Sequence, residues 1–330
     1  MMRDRLENLA LQLVGNLVRW LPPGTARSVA RAIGVAAWRL GIRRRVTDDN
    51  IQKAFGEYDA KQRARISRNC YEALALTAAE FLRLTPQTVR QAEMQVEFRG
   101  WQHVLDARQR GQGAIIASAH MGNWELWGAA AVAKGVGITF VVQRLRNRAA
   151  DQALCDRRRS VGMHVMERGM AMRRLGESLD RNHLVAIMCD QDARRRGVFV
   201  PFFGRLASTH KGAAQLAFRF GVPLLPFLGF RQDDGTHVAQ AFPPLQAAPG
   251  STESEFVQAT MEQFHVILET AVRAHPGQYL WQHRRWKTSP PEGTHDGRPA
   301  ASVGSGGSTG LSSAVTDPLP SPGQGRGRSG

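Results

Sequence analysis

The chain reads as an α/β fold, a largely parallel sheet flanked by helices and preceded by an amphipathic helical anchor. Two observations predict it. From about residue 95, short apolar runs alternate with segments of helical spacing, the pattern of parallel strands joined by crossover helices. Ahead of that, Leu6, Leu9, Leu13, Leu17 and Trp20 recur at helical spacing, with Arg5, Glu7, Gln12, Asn16 and Arg19 between them.

Taken in order, the elements are these. A helix over 5–21 ends at Pro22-Pro23, which cannot continue it. A second apolar stretch, 29–42, contains Arg31, Trp38 and Arg39 and closes in Arg43-Arg44-Arg45. These two segments pack on the domain as ordinary helices or lie in a lipid interface with their arginines at the phosphates. A helix over 60–84 carries Ile66, Cys70, Ala73, Leu74, Thr77, Phe81 and Leu84 as a core stripe and stops before Pro86. Predicted strands follow at 95–98, 113–118, 137–142, 164–166, 184–188 and 223–230. Predicted helices lie at 101–110, 123–134, 149–161, 170–181, 210–220 and 253–275. The organisation is thus 1–46 as membrane-associating helices, 47–288 as the catalytic domain and 289–330 as a tail. That tail is rich in Gly, Ser and Pro and has the composition of a disordered segment.

Composition narrows the function classes. Lys and Arg number 44 against 28 Asp and Glu, a net +16. The tail is charge-neutral, so the excess belongs to the folded part and suits anionic partners: nucleic acid, anionic lipid or an acidic carrier protein. No basic stripe interleaved with stacking aromatics is present, which disfavours nucleic acid. The 3 cysteines fit neither a disulfide framework nor a zinc site and read as small buried apolar residues in a reducing compartment. No run of about eighteen apolar residues predicts a membrane-crossing helix. The G-x-S-x-G elbow, the Walker loop and the H-E-x-x-H motif are all missing, so a covalent serine intermediate lacks support.

The residues suited to chemistry cluster at strand ends. In Ser118-Ala-His120-Met-Gly-Asn-Trp-Glu125, His120 and Glu125 are five apart, about 140° apart on a continuous helix. His120 therefore belongs on the turn after a strand, with Gly122 tightening that turn and Asn123 capping the helix that holds Glu125 in its first turn. From there the Glu125 carboxylate can reach back to one imidazole nitrogen, and a carboxylate-oriented histidine is a general base for a hydroxyl nucleophile. The bland alternative is a strand-end histidine beside a glutamate favoured by the helix dipole. Asp190-Gln191-Asp192 ends another apolar run and can bind a metal, position a substrate, orient a cation or simply form a solvated turn. Arg157-Arg158-Arg159 can supply a cation for a phosphate or an oxyanion, or be a solvated face. Gly197-Val-Phe-Val-Pro-Phe-Phe-Gly204 reads as a core strand or as a wall of an acyl-chain channel. Thr209 and Lys211 open a helix whose free amides can hold a phosphate. Trp281 to Lys287 mixes aromatic and basic residues, as at a lipid interface or a packed aromatic end.

Together these stretches resemble the late acyltransferases of lipid A biosynthesis, the lauroyl/myristoyl transferases of the bacterial inner membrane. The ordered series also includes Asp49-Asn50-Ile51, Ala54-Phe55, Gly212, Gly221-Val-Pro-Leu-Leu-Pro226 and His275-Pro-Gly-Gln-Tyr-Leu-Trp281, and it covers roughly residues 5 to 288. The resemblance implies a glycerolipid-acyltransferase-like fold. It implies His120 and Glu125 as the catalytic pair, with Asp190 and an arginine at Arg158 or Arg159, Arg159 favoured, binding substrate or oxyanion. It further implies direct transfer from an acyl-ACP or acyl-CoA thioester with no metal or other cofactor. The partners would be acyl carrier protein, an anionic membrane glycolipid and the membrane surface, at the cytoplasmic face of the inner membrane. Other members of this fold acylate mannosylated phosphatidylinositol, and a metal-dependent transferase using Asp190 and Asp192 is the alternative from another class. The chain departs from common members at Ala193-Arg-Arg-Arg196 and in its tail.

Overall fold

The structure is a computed structural model that describes residues 15, 18–169 and 172–291. Most of the predicted 5–21 helix and the 289–330 tail beyond Pro291 lie outside them. Among the described residues, 18–20 are helical, and α1 (Pro23–Arg39), α2 (Arg44–Ala54) and α3 (Ala60–Arg83) follow. The short α4 (Val89–Met94), β1 (Val96–Arg99) and α5 (Trp101–Gln109) follow. Strands and helices then alternate: β2 (Ala114–Ser118), α6 (Trp124–Ala133), β3 (Ile138–Val142), α7 (Arg148–Ser160), β4 (His164–Glu167), α8 (Met172–Asp180) and β5 (Leu184–Met188). A hairpin of β6 (Val198–Phe202) and β7 (Arg205–Thr209) precedes α9 (Gly212–Phe220), β8 (Leu224–Arg231), β9 (His237–Ala241) and α10 (Glu253–Ala274).

Seven strands form one sheet in the order β1-β9-β8-β2-β5-β3-β4. The five from β8 to β4 run parallel, β9 turns back antiparallel to β8, and β1 runs parallel to β9. The mostly parallel sheet agrees with the alternation read from sequence. β2 is buried along its whole length, as a central parallel strand covered on both faces must be. The predicted strands and crossover helices all form, with ends displaced by a residue or two. Two strands, β7 and β9, escape the sequence reading, and the placement of β6 does too. β9 (His-Val-Ala-Gln-Ala) has no long apolar run, and β6–β7 leaves the main sheet to form its own antiparallel pair.

α3 begins with a capping box, in which Asp59 and Gln62 each accept from the other's backbone N–H. Its predicted stripe is buried at Ile66, Cys70, Thr77 and Phe81, but Leu74 is exposed. Tyr71, Leu76 and Ala79 are buried as well, because α1 packs on a second face of α3. Gly34 permits that approach, since a Cβ there would meet the Tyr71 carbonyl. Val18 is buried and Trp20 is exposed, so these two sit on opposite faces of their helix. All three cysteines are buried thiols, and burial pushes Cys70 and Cys189 well above the usual range.

The segment after α10 is a strap. Asn50 donates to the carbonyls of Trp281 (2.8 Å) and His283 (2.5 Å). Trp281 sits inside a cluster with Phe55, Phe203 and Tyr279. Trp281 is fully buried, so the packed-end reading holds for this part of the Trp281 to Lys287 segment. The strap then reaches the sheet, where Leu280 N–H donates to the His120 carbonyl (3.0 Å) and Tyr279 bridges Met121.

Candidate active site

The parallel strands place their carboxyl ends on one edge, where open α/β sheets build sites. β2 and β5 are neighbours in a register that pairs Ser118 with Met188. Two residues beyond that pair stand His120 and Asp190, and they meet. The His120 Nδ1 lies 2.9 Å from Asp190 Oδ1, and the His120 backbone N–H donates to Asp190 Oδ2 at 3.1 Å. Asp190 is 2% exposed, whereas the His120 ring keeps 21% of its surface accessible. The ring stands edge-on to Trp124 at 5.0 Å.

This corrects the orienting role assigned to Glu125. Asp190, expected to bind substrate or oxyanion, is the carboxylate on the imidazole. Glu125 instead receives Arg158 in a bidentate pair, Nε to Oε2 at 3.0 Å and Nη2 to Oε1 at 2.5 Å, with Trp124 Nε1 adding a third donor at 3.1 Å. The last turn of α7 delivers a guanidinium to the first turn of α6, and a planar fork matches a carboxylate better than an imidazole does. The two candidate arginines are placed differently. Arg159 is exposed and pairs with Asp156, while Arg158 is the one inside. Arg157 donates to the Leu84 carbonyl.

Burial alone would depress the His120 pKa, but the charge and hydrogen bond of Asp190, aided by Glu125, raise it above the ordinary imidazole value. Burial likewise pushes Asp190 up, and the histidine's charge and hydrogen bonds reverse this, holding it below the usual carboxylate range. Asp190 therefore stays ionised and keeps Nδ1 protonated, which leaves Nε2 as the basic nitrogen.

His120, Trp124 and Arg158 line a cavity of about 600 Å³. Its lining includes the apolar Phe140, Leu154, Leu175, Ile187, Met188 and Leu216 and the exposed Arg144, Arg146 and Arg168. These cations follow directly on β3 and β4. The sequence signal for them was available, since basic residues just past parallel strands face the site edge. Burial, reinforced by Arg168, holds the cavity-lining His210 down to about 4, so it is neutral near pH 7.

Other predicted site residues lie elsewhere. Thr209 is buried outside the cavity, accepting from Arg285 Nη2 at 2.5 Å. Lys211 is the N-cap of α9 and does not line the cavity, although Gly212 beside it does. Val200 and Phe202 are core residues of the β6–β7 hairpin, so this stretch is core strand and not a cavity wall. Asp190 and Asp192 do not converge: Asp192 accepts from Arg194 N–H and from Thr288, and its own backbone N–H donates to His283.

A partly accessible imidazole held by a buried aspartate, beside a cavity with apolar and cationic lining, is an arrangement able to take a proton from a bound nucleophile. The family model for bacterial lipid A biosynthesis acyltransferases matches residues 8–288, and the chain belongs to that family. It is similar to a phosphatidylinositol mannoside acyltransferase of Mycobacterium tuberculosis, 30% identical over 57% of this chain and 58% of the relative. The corresponding figures are 27%, 77% and 84% for the Mycolicibacterium smegmatis protein of that name. For the lipid A biosynthesis lauroyltransferase of Escherichia coli they are 26%, 83% and 89%. Family and relatives place the chain among the acyltransferases.

Proposed function

We propose that the protein transfers a fatty acyl group from a carrier thioester to a hydroxyl of an anionic membrane glycolipid, with His120 as general base. The single observation that carries this reading is the His120–Asp190 pair beside a cavity lined by both apolar side chains and arginines. His120 Nε2 takes the hydroxyl proton while the oxygen attacks the thioester carbonyl carbon. The C–O bond forms, the C–S bond breaks, and the imidazolium returns its proton to the leaving thiolate. Asp190 holds the tautomer and stabilises the imidazolium. Arg158 lines the same cavity and supplies a cation for the developing oxyanion, an effect typically of about 3–4 kcal/mol per donor.

The family's description favours a lipid A precursor as acceptor. For the donor, an acidic acyl carrier protein would suit Arg144, Arg146 and Arg168 at the cavity. Phosphatidylinositol mannoside is the second reading, favoured by the names of relatives 27–30% identical to the chain. Incubating the purified protein with an acyl carrier thioester and each acceptor in turn, followed by mass spectrometry of the lipids, tests both. An added acyl mass on one acceptor decides between them; no acylation of either, from carrier or CoA thioester, defeats the proposal.

The same reading puts the protein on the cytoplasmic face of the inner membrane. No helix among the described residues is long and apolar enough to cross a bilayer. Leu40 and Ile42 are nonetheless large and exposed, flanked in the chain by Arg39, Arg43, Arg44 and Arg45, and Trp20 is exposed beside Arg19 before the other end of α1. Apolar side chains beside arginines suit an anionic interface, each cation adding about 1 kcal/mol. Replacing Trp20, Leu40 and Ile42 together by Asp is expected to lower co-flotation with anionic vesicles and to spare turnover on detergent-dispersed acceptor. Unchanged flotation would place the attachment elsewhere.

A further inference from the structure

We propose that Glu80 is a positioning residue for His120, acting through Asn123; this rests on His120 being the base. His120 sits on the turn between β2 and α6, and that turn is held from two sides. On one side, Gly122 N–H donates to the Gln278 carbonyl and Leu280 N–H to that of His120, both at 3.0 Å. On the other, two residues one turn apart on α3 grip the next two positions. Thr77 Oγ1 donates to the Gly122 carbonyl, and Asn123 Nδ2 donates to Glu80 Oε2, each at 2.8 Å. Gly122 has φ +59°, and a Cβ there would run into the Gly229 carbonyl, so the turn has little room to shift.

Asn123 uses both ends of its amide. Oδ1 caps α6 by accepting Leu126 N–H at 3.0 Å, and Nδ2 reaches Glu80. Glu80 is itself fixed from three elements. Arg231 at the end of β8 forks onto it, with Nη2 at 2.6 Å from Oε2; His237 Nε2 lies 3.5 Å away on β9, and Arg27 Nε 3.6 Å away on α1. A carboxylate held by α1, β8 and β9 thus grips the turn of the catalytic imidazole while staying outside the catalytic cavity. His120 must keep both its bonds to Asp190, and a displacement of about 1 Å at such a site can cost on the order of 10²-fold in rate.

Asn123→Ser separates tether from cap, because serine is as good an N-cap and cannot reach Glu80. It is expected to lower kcat by about 10–100-fold, with donor KM and melting temperature close to those of the unmodified protein. Glu80→Ala is expected to give the same loss, the double variant no more than either single, and Glu80→Gln, which keeps an acceptor for Asn123, to recover most of it. If Glu80→Ala fails to fold, the Asn123→Ser and Glu80→Gln variants carry the test. An unchanged kcat in Asn123→Ser, a KM-only effect or additive losses in the double variant overturn the proposal. His120→Ala in the same assay separates the two readings. If His120→Ala abolishes turnover and Asn123→Ser does not affect it, only the tether is wrong; if His120→Ala retains turnover, the base assignment and the tether fall together.

Discussion

Replacing His120 with Ala is expected to lower kcat by about 10²–10⁴-fold while the thermal unfolding transition persists, because the variant loses a general base but little packing. Asp190→Asn is expected to cost a comparable factor, for a different reason. The amide cannot keep Nδ1 protonated as a carboxylate does, so the imidazole is no longer held in the tautomer that exposes a basic Nε2. The two variants separate in their pH dependence. In the unmodified protein Asp190 raises the His120 pKa against burial, so the acid limb of kcat/KM lies above the ordinary imidazole value. The base is active when neutral, so activity falls as pH drops through that raised pKa. Without the carboxylate, burial dominates and the limb moves to lower pH. A full pH–rate profile of Asp190→Asn checks this. A limb that stays in place, or a His120→Ala variant with near-normal turnover, removes the pair from the chemistry.

The sequence made the sheet legible because its parallel strands are short, buried and punctuated by glycines, and its helices are amphipathic. His120 was legible for the same reason: a histidine just past a largely apolar run belongs at a strand's end. Its partner was not. Glu125 is five residues away and looked sufficient, whereas Asp190 is seventy away and becomes adjacent only through the β2–β5 register. The placement of Arg158 and Arg159 was hidden similarly. One residue of helical phase decides which guanidinium faces Glu125 and which faces solvent, and a run of three arginines carries no phase. Thr209 opened a helix convincingly on paper, but Arg285 claims its hydroxyl from the far end of the chain.

Removing one partner of the Glu125–Arg158 pair is expected to destabilise the protein by about 3–5 kcal/mol, because the other is left as an uncompensated charge in a buried site. The side chains are 6% and 15% exposed, so solvent screens them little. Urea unfolding of Arg158→Met and of Glu125→Gln measures the single losses; the double variant should lose clearly less than their sum, since it strands no charge. The same variants decide what Glu125 does. Its charge raises the His120 pKa and that of Arg158 lowers it, so the two act in opposite senses. Glu125→Gln should move the acid limb of kcat/KM to lower pH, Arg158→Met to higher pH, and the double variant should return it close to its starting position. That pattern means that Glu125 acts on the imidazole electrostatically and through Arg158, with Asp190 alone as the orienting carboxylate. A folded Glu125→Gln variant that loses turnover with its pH limb unmoved would instead mean that the Glu125 carboxylate touches the substrate itself.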